Sequence, residues 1–146
     1  MSQIKIVRIH NELLGTYGDQ GNAEVLAFRA KFHGITANII DVSYNDDLPT
    51  NGDIYLLGGA EDAAQLLSLE ALLRGDNLST LQMAIERGAV ILAVCAGFQI
   101  IGNRFVANGQ EVDGLGLLDV VSVPGEKRMV GDIKTTSTVL GFELTG

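Results

Sequence analysis

The stretch Ala89-Val90-Ile91-Leu92-Ala93-Val94-Cys95-Ala96-Gly97-Phe98-Gln99 decides how this sequence folds. Up to Val94 the run has no polar face, the pattern of a strand buried on both sides of a parallel sheet. Cys95 stands at its carboxyl end, and the residues after it read as the start of a helix. This is a nucleophile elbow written with sulfur. Such a turn holds the nucleophile in a strained backbone conformation and needs small neighbours, so that strand and helix can approach each other. Ala93, Ala96 and Gly97 are small enough. A helix amino terminus beneath the sulfur carries partial positive charge and free N–H groups, which favour a thiolate and can hold an oxyanion. The spacing leaves a second reading open, because a lone cysteine in an apolar run is also an ordinary small core residue.

Upstream, Ile4 to Ile9 alternates as a strand, the loop Asn11 to Gly18 comes next, and Asp19 can cap a helix. Val25, Leu26, Phe28 and Phe32 lie at helical spacing, and Gly34 is a natural stop. Thr36 to Val42 is β-branched and apolar. The Asn45-Asp46-Asp47 cluster and Pro49 break the chain before a strand at Asp53 to Leu57, which ends on Gly58-Gly59. Ala64, Leu66, Leu67, Leu69, Leu72 and Leu73 form a helical stripe within Glu61 to Arg74, closed by Gly75, and Ser79 to Arg87 fits another helix before Gly88. Alternating strands and helices predict a doubly wound, mostly parallel α/β sheet, whose ligands bind outside the carboxyl ends of the strands. Cys95 and Gly58-Gly59 both fall there, so the N–H groups of Gly59 and Ala96 can form a two-donor oxyanion hole. After Asn103, glycines punctuate short β-branched runs. Leu117 to Val123, Met129 to Thr135 and Val139 to Leu144 read as strands in hairpins or an antiparallel edge.

With 146 residues the chain fits a single domain spanning 1–146. A net charge of -8 argues against nucleic acid and anionic lipid as partners. The start MSQIKIVRIH lacks the apolar run and cleavage site of a signal peptide, and Ala89 to Ala96 is far too short to cross a bilayer. A cytoplasmic protein is expected. One cysteine excludes an internal disulfide and a thiolate-rich zinc cluster, and no metal site is expected. Glu61 and Asp62 suit a helix start, and Asp19 is as much a helix cap as a site residue.

Three segments carry a family resemblance: Cys95-Ala96-Gly97-Phe98-Gln99, Gly58-Gly59-Ala60-Glu61-Asp62 and Gly15-Thr16-Tyr17-Gly18-Asp19-Gln20-Gly21-Asn22. Together they resemble the cobyric-acid-synthase-type class I glutamine amidotransferases, which have a flavodoxin-like fold. Asp113-Gly114-Leu115-Gly116-Leu117-Leu118 and Arg128-Met129-Val130-Gly131-Asp132-Ile133 extend the likeness toward the glutaminase subunits that serve peptidoglycan amidation. The resemblance implies that the Cys95 thiolate attacks the side-chain amide of L-glutamine, with Gly59 and Ala96 holding the oxyanion, Gln99 helping to seat the glutamine and Arg128 binding its charged end. It also implies a Mur-ligase-like partner that takes the ammonia and converts D-glutamate of lipid II to isoglutamine. ATP and magnesium would belong to that partner. No cofactor is expected in this chain, which has no Walker-type phosphate loop.

The resemblance also exposes a departure. The family activates its cysteine with a histidine on a later strand, yet the histidines here are His10, ending the first strand, and His33, in the last turn of a helix. The family pattern runs on beyond a Gly-Phe-Glu-Asn-His type segment, whereas this sequence stops at Phe142-Glu143-Leu144-Thr145-Gly146. A chain cut short of its catalytic base, and inactive as it stands, is therefore expected. Two other readings compete: the amidotransferase of a cobyrinate-type synthase, and a non-catalytic domain retained for contact with a partner subunit.

Overall fold

Four strands rich in Ile, Val and Leu pair in parallel: β1 (Gln3–Ile9), β2 (Thr36–Val42), β3 (Ile54–Leu57) and β4 (Val90–Ala93). Their order is β2-β1-β3-β4, the flavodoxin-like arrangement, with the chain reversing direction across the sheet between β1 and β3. The computed structural model describes residues 2–127, 130–139 and 141–146. Strand alternation sorts side chains onto two faces. Val7, Ile9, Tyr55 and Leu57 enter a large core with Leu69, Leu72, Leu81 and Ile100, while Ile6 and Leu56 meet Ala23 in a small core on the opposite face. Arg8 and Asp41 are register partners on β1 and β2, and the guanidinium grips the carboxylate at 2.6 and 2.8 Å.

The helices keep the expected rhythm: α1 (Asn11–Leu14), α2 (Gln20–Phe32), α3 (Asp62–Leu73), α4 (Asn77–Glu86) and α5 (Ala96–Ile101). α1 is one turn within the segment read as a loop. Gly34 and Gly75 succeed α2 and α3 with φ of 70° and 54°, left-handed conformations that glycine adopts without a Cβ clash. Antiparallel strands are present as well: β5 (Arg104–Ala107) pairs with β6 (Gln110–Asp113), and β7 (Lys134–Thr136) with β8 (Glu143–Thr145).

Several expectations require correction. β4 lies at the edge of the described sheet, with Val90, Leu92 and Val94 exposed, so it is not buried on both sides. An apolar run specifies what a strand can bury, and coverage depends on neighbours that the run does not encode. On α2 the small residues Ala23 and Ala30 face inward and let the helix approach the sheet, leaving Val25, Phe28 and Phe32 exposed. On α3, Leu67 and Leu73 are exposed while Gln65 and Ser68 are buried. Residues 117–123 form no strand, contributing one isolated bridge between Val121 and Arg104, and the first hairpin lies earlier, at 104–113. There Asn108 and Gly109 both take positive φ in the two-residue turn.

Candidate active site

The turn from β4 into α5 places Cys95 at φ 52° and ψ -114°, which a non-glycine residue adopts only where surrounding contacts enforce it. The enforcement is visible. Val94 N–H donates to Leu57 O at 2.9 Å, and Gly97 N–H donates to Gly58 O at 3.0 Å, so the residues on either side of the cysteine are tied to the end of β3. A Cβ on Gly97 would lie 2.6 Å from the Leu57 carbonyl oxygen. Only glycine permits this approach. The side chain of Cys95 is exposed, which removes the core reading and leaves a strained, accessible thiol at the carboxyl edge of the sheet. Ala96 opens α5, where the first N–H groups of a helix have no intrahelical acceptor.

The end of β3 stands beside the thiol. A Cβ on Gly59 would come within 3.2 Å of Cys95 Cβ and 3.0 Å of the Tyr17 ring. A Cβ on Gly58 would collide with the Leu14 carbonyl and approach Asp19 Cβ to 2.6 Å. The two glycines thus let the segment after α1 close over the strand end. Asp19 precedes α2 but makes no side-chain capping bond; its Oδ2 instead accepts the Gly59 N–H at 2.8 Å. The Gly59 donor, expected to face the crevice unengaged, is held by a carboxylate. Tyr17 Oη donates to Glu61 Oε1 at 2.5 Å, joining this segment to the residue that precedes α3.

Beneath the elbow lies a polar layer. Gln65 Nε2, fully buried on α3, donates to Ala96 O at 3.2 Å and to Gln99 Oε1 at 2.8 Å. One turn along α3, Ser68 Oγ lies 2.9 Å from His10 Nδ1. His10 is completely buried, with φ 49°, and burial pushes its pKa below the usual 6.5. At the other end of α5, the Asp113–Leu118 motif acts as a cap: Leu115 N–H donates to Ile100 O, and Leu117 and Leu118 N–H donate to Ile101 O. Both ends of the short helix are fixed.

Cys95, Gly59, Ala96 and Gln99 are therefore brought together. Arg128 lies outside the described residues. Neither histidine stands at the thiol. His10, between β1 and α1, is buried against Ser68, two strands from β4, and His33 comes after the thirteen residues of α2, about 20 Å along the helix from Asp19. Among the described residues, no group of three or more His, Cys, Asp or Glu could hold a metal ion, and no helix is long and apolar enough to cross a membrane.

Residues 5–146 match the CobB/CobQ-like glutamine amidotransferase domain. The chain belongs to this family. It is 32% identical to the lipid II isoglutaminyl synthase (glutamine-hydrolyzing) subunit GatD of Staphylococcus aureus, over 100% of this chain and 62% of that protein. It is also 32% identical to the GatD subunit of Streptococcus pneumoniae, over 97% of this chain and 56% of that protein. A probable cobyric acid synthase of Methanopyrus kandleri is 34% identical over 56% of this chain and 18% of its own length. The chain thus spans about three-fifths of the length of the two GatD relatives.

For an amidotransferase domain, two features of this site escape a reading of sequence alone. The Gly59 amide is paired with Asp19, forty positions away. Gln65 looks like one of the polar residues on the solvent side of an amphipathic helix, yet it is buried against the elbow. A weak signal existed in both cases: Asp19 falls within the Gly15–Asn22 motif, and Gln65 is three residues beyond the Glu61-Asp62 helix start.

Proposed function

We propose that residues 1–146 belong to one glutamine amidotransferase domain, without its C-terminal part, in which Cys95 hydrolyses L-glutamine for a lipid II amidating complex. The strained, exposed Cys95 beside Gly59 carries this reading. The thiolate attacks the side-chain amide carbon, the C–N bond breaks as nitrogen gains a proton, and ammonia departs. Water then cleaves the glutamyl thioester, releasing glutamate and restoring the thiol. Ala96 N–H meets the developing oxyanion, and Gly59 N–H joins it by exchanging the Asp19 carboxylate for the oxyanion. Gln99 and Arg128 seat the glutamine.

We expect residues 1–146 by themselves to be inactive, because neither His10, bonded to Ser68 in the core, nor His33, at the far end of α2, stands at Cys95 to take its proton. The two GatD relatives, each named as a subunit of a glutamine-hydrolyzing lipid II isoglutaminyl synthase, support a partner subunit; we read that partner as Mur-ligase-like, carrying ATP and magnesium, receiving the ammonia and amidating D-glutamate of lipid II in the cytoplasm. The cobyric acid synthase relatives support a second acceptor within the same chemistry, a cobyrinate-type corrinoid carboxylate. The test is ammonia release from glutamine by the natural full-length polypeptide with its ligase partner, with and without Cys95→Ala. Equal release by both forms refutes the assignment of Cys95. Covalent labelling of Cys95 by a diazo-ketone analogue of glutamine separates this reading from a non-catalytic binding domain, in which no label is incorporated.

A further inference from the structure

We infer that Gln65 is a positioning residue that fixes which edge of the Gln99 carboxamide faces the substrate; this inference rests on the glutaminase reading above. A chain of donors and acceptors leads to it. Ala96 O can only accept, so the Gln65 side chain must turn its NH2 edge toward the elbow, as the 3.2 Å contact shows. The second proton of the same nitrogen reaches Gln99 at 2.8 Å, and the atom that meets it must also be an acceptor. Gln99 therefore turns Oε1 inward and its own NH2 to the other edge. Were either amide reversed, two like groups would face each other beside a buried partner, leaving a polar group unpaired.

Position and burial make this orientation consequential. Gln65 is 2% exposed, whereas Gln99 is partly exposed, so the inner amide is sheltered from water and the outer one is open. Gln99 lies four residues beyond Cys95, and its N–H donates to Cys95 O at 3.2 Å, which places it on the helix face below the nucleophile. If Gln99 seats the glutamine as proposed above, it offers the substrate an amide donor, suited to an oxygen of glutamine and unsuited to its ammonium group. Gln65 touches no substrate in this arrangement. It acts through Gln99 and through the Ala96 peptide that succeeds the nucleophile.

Gln65→Glu tests the inference, because it preserves shape and removes both protons. Gln99 must then turn round to donate to the new carboxylate, presenting its oxygen to the substrate. In the full-length complex, KM for glutamine is expected to rise at least 10-fold with kcat changed less than 3-fold, while iodoacetamide alkylates Cys95 within 2-fold of the unaltered rate. In a Gln99→Ala background the same substitution should have no further effect on KM. An unchanged KM, or an equal rise in the Gln99→Ala background, overturns the inference. If the buried carboxylate prevents folding, Gln65→Met keeps the length without the protons, and a KM rise of at least 3-fold is then required. Side-chain amide exchange in the unaltered protein separates the two levels. Protons of Gln65 should exchange at least 10-fold more slowly than those of Gln99, and equal rates refute the locked pair. Absence of glutaminase activity with Gln65 still protected refutes the functional reading instead.

Discussion

Gly97→Ala is the sharpest test of the elbow geometry. The added methyl would meet Leu57 O at 2.6 Å, Leu57 Cβ at 2.7 Å and the Leu57 carbonyl carbon at 2.8 Å. The first contact is about 0.8 Å short of ordinary van der Waals separation, and two of the three atoms belong to the β3 backbone. Rotating a side chain cannot relieve the clash, so α5 must move away from the strand. That motion stretches the Gly97 N–H bond to Gly58 O and separates Cys95 from Gly59. Overpacking of this kind costs about 1–3 kcal/mol, corresponding to a fall in melting temperature of roughly 3–10 °C. On the proposed glutaminase reading, displacing Cys95 by nearly 1 Å should lower kcat/KM on the order of 100-fold. Thermal denaturation and glutaminase assays on the full-length complex measure both effects. Gly21→Ala in α2 is the control: an added Cβ meets nothing within 4 Å, so stability should be unchanged or rise by some tenths to about 1 kcal/mol. If Gly97→Ala melts with the unaltered protein and retains kcat/KM, the close approach of α5 to β3 is not what shapes the site.

Backbone strain at Cys95 predicts that Cys95→Gly is more stable than Cys95→Ala by about 1 kcal/mol, although both lack the thiol; equal melting temperatures contradict the strain. Asp19→Ala removes the acceptor of the Gly59 N–H and should cost about 1–2 kcal/mol of stability in denaturant titrations, an effect that Asp19→Asn largely avoids by keeping an oxygen there. Burial lowers the pKa of His10 below 6.5, so the unfolded chain binds the proton more readily than the folded one. His10 therefore leaves stability intact above about pH 6.5 and reduces it as pH falls through that value toward the lowered folded pKa. His10→Asn, which suits the left-handed backbone, should flatten this slope between about pH 7 and 5 when unfolding is monitored across pH.

Legibility in the sequence depends on what each signal encodes. Periodicity and glycine stops locate the elements as far as α5 except the single turn α1, because these are local properties of the chain. The same periodicity cannot tell which side of α2 meets the sheet: Phe28 and Phe32 share a face, but the close-packing face belongs to Ala23 and Ala30. The apolar run of β4 specifies a strand correctly and its surroundings wrongly, since coverage is supplied by other elements. The β5–β6 hairpin has a readable mark in Asn108-Gly109, and the glycine-punctuated reading places strands too late to use it.

The site shows the same division, with a chemical reason. Cys95 is legible because an elbow constrains its own neighbours: a strained φ demands small residues one and two positions away, and these are adjacent in sequence. Asp19 holds Gly59 N–H, beside the elbow, from forty positions away, and Gln65 holds Ala96 O, within it, from thirty-one. Backbone amides and carbonyls occur at every residue, so nothing in the sequence marks which of them a distant side chain will meet. Cys95 is thus the local and visible part of the site, while the residues that orient its surroundings are non-local and lie among ordinary polar positions. For Gln65 this carries a specific consequence: its partner is a peptide carbonyl, so no substitution at position 96 other than one altering the backbone should disturb that bond, whereas loss of the Gln65 amide removes it at once.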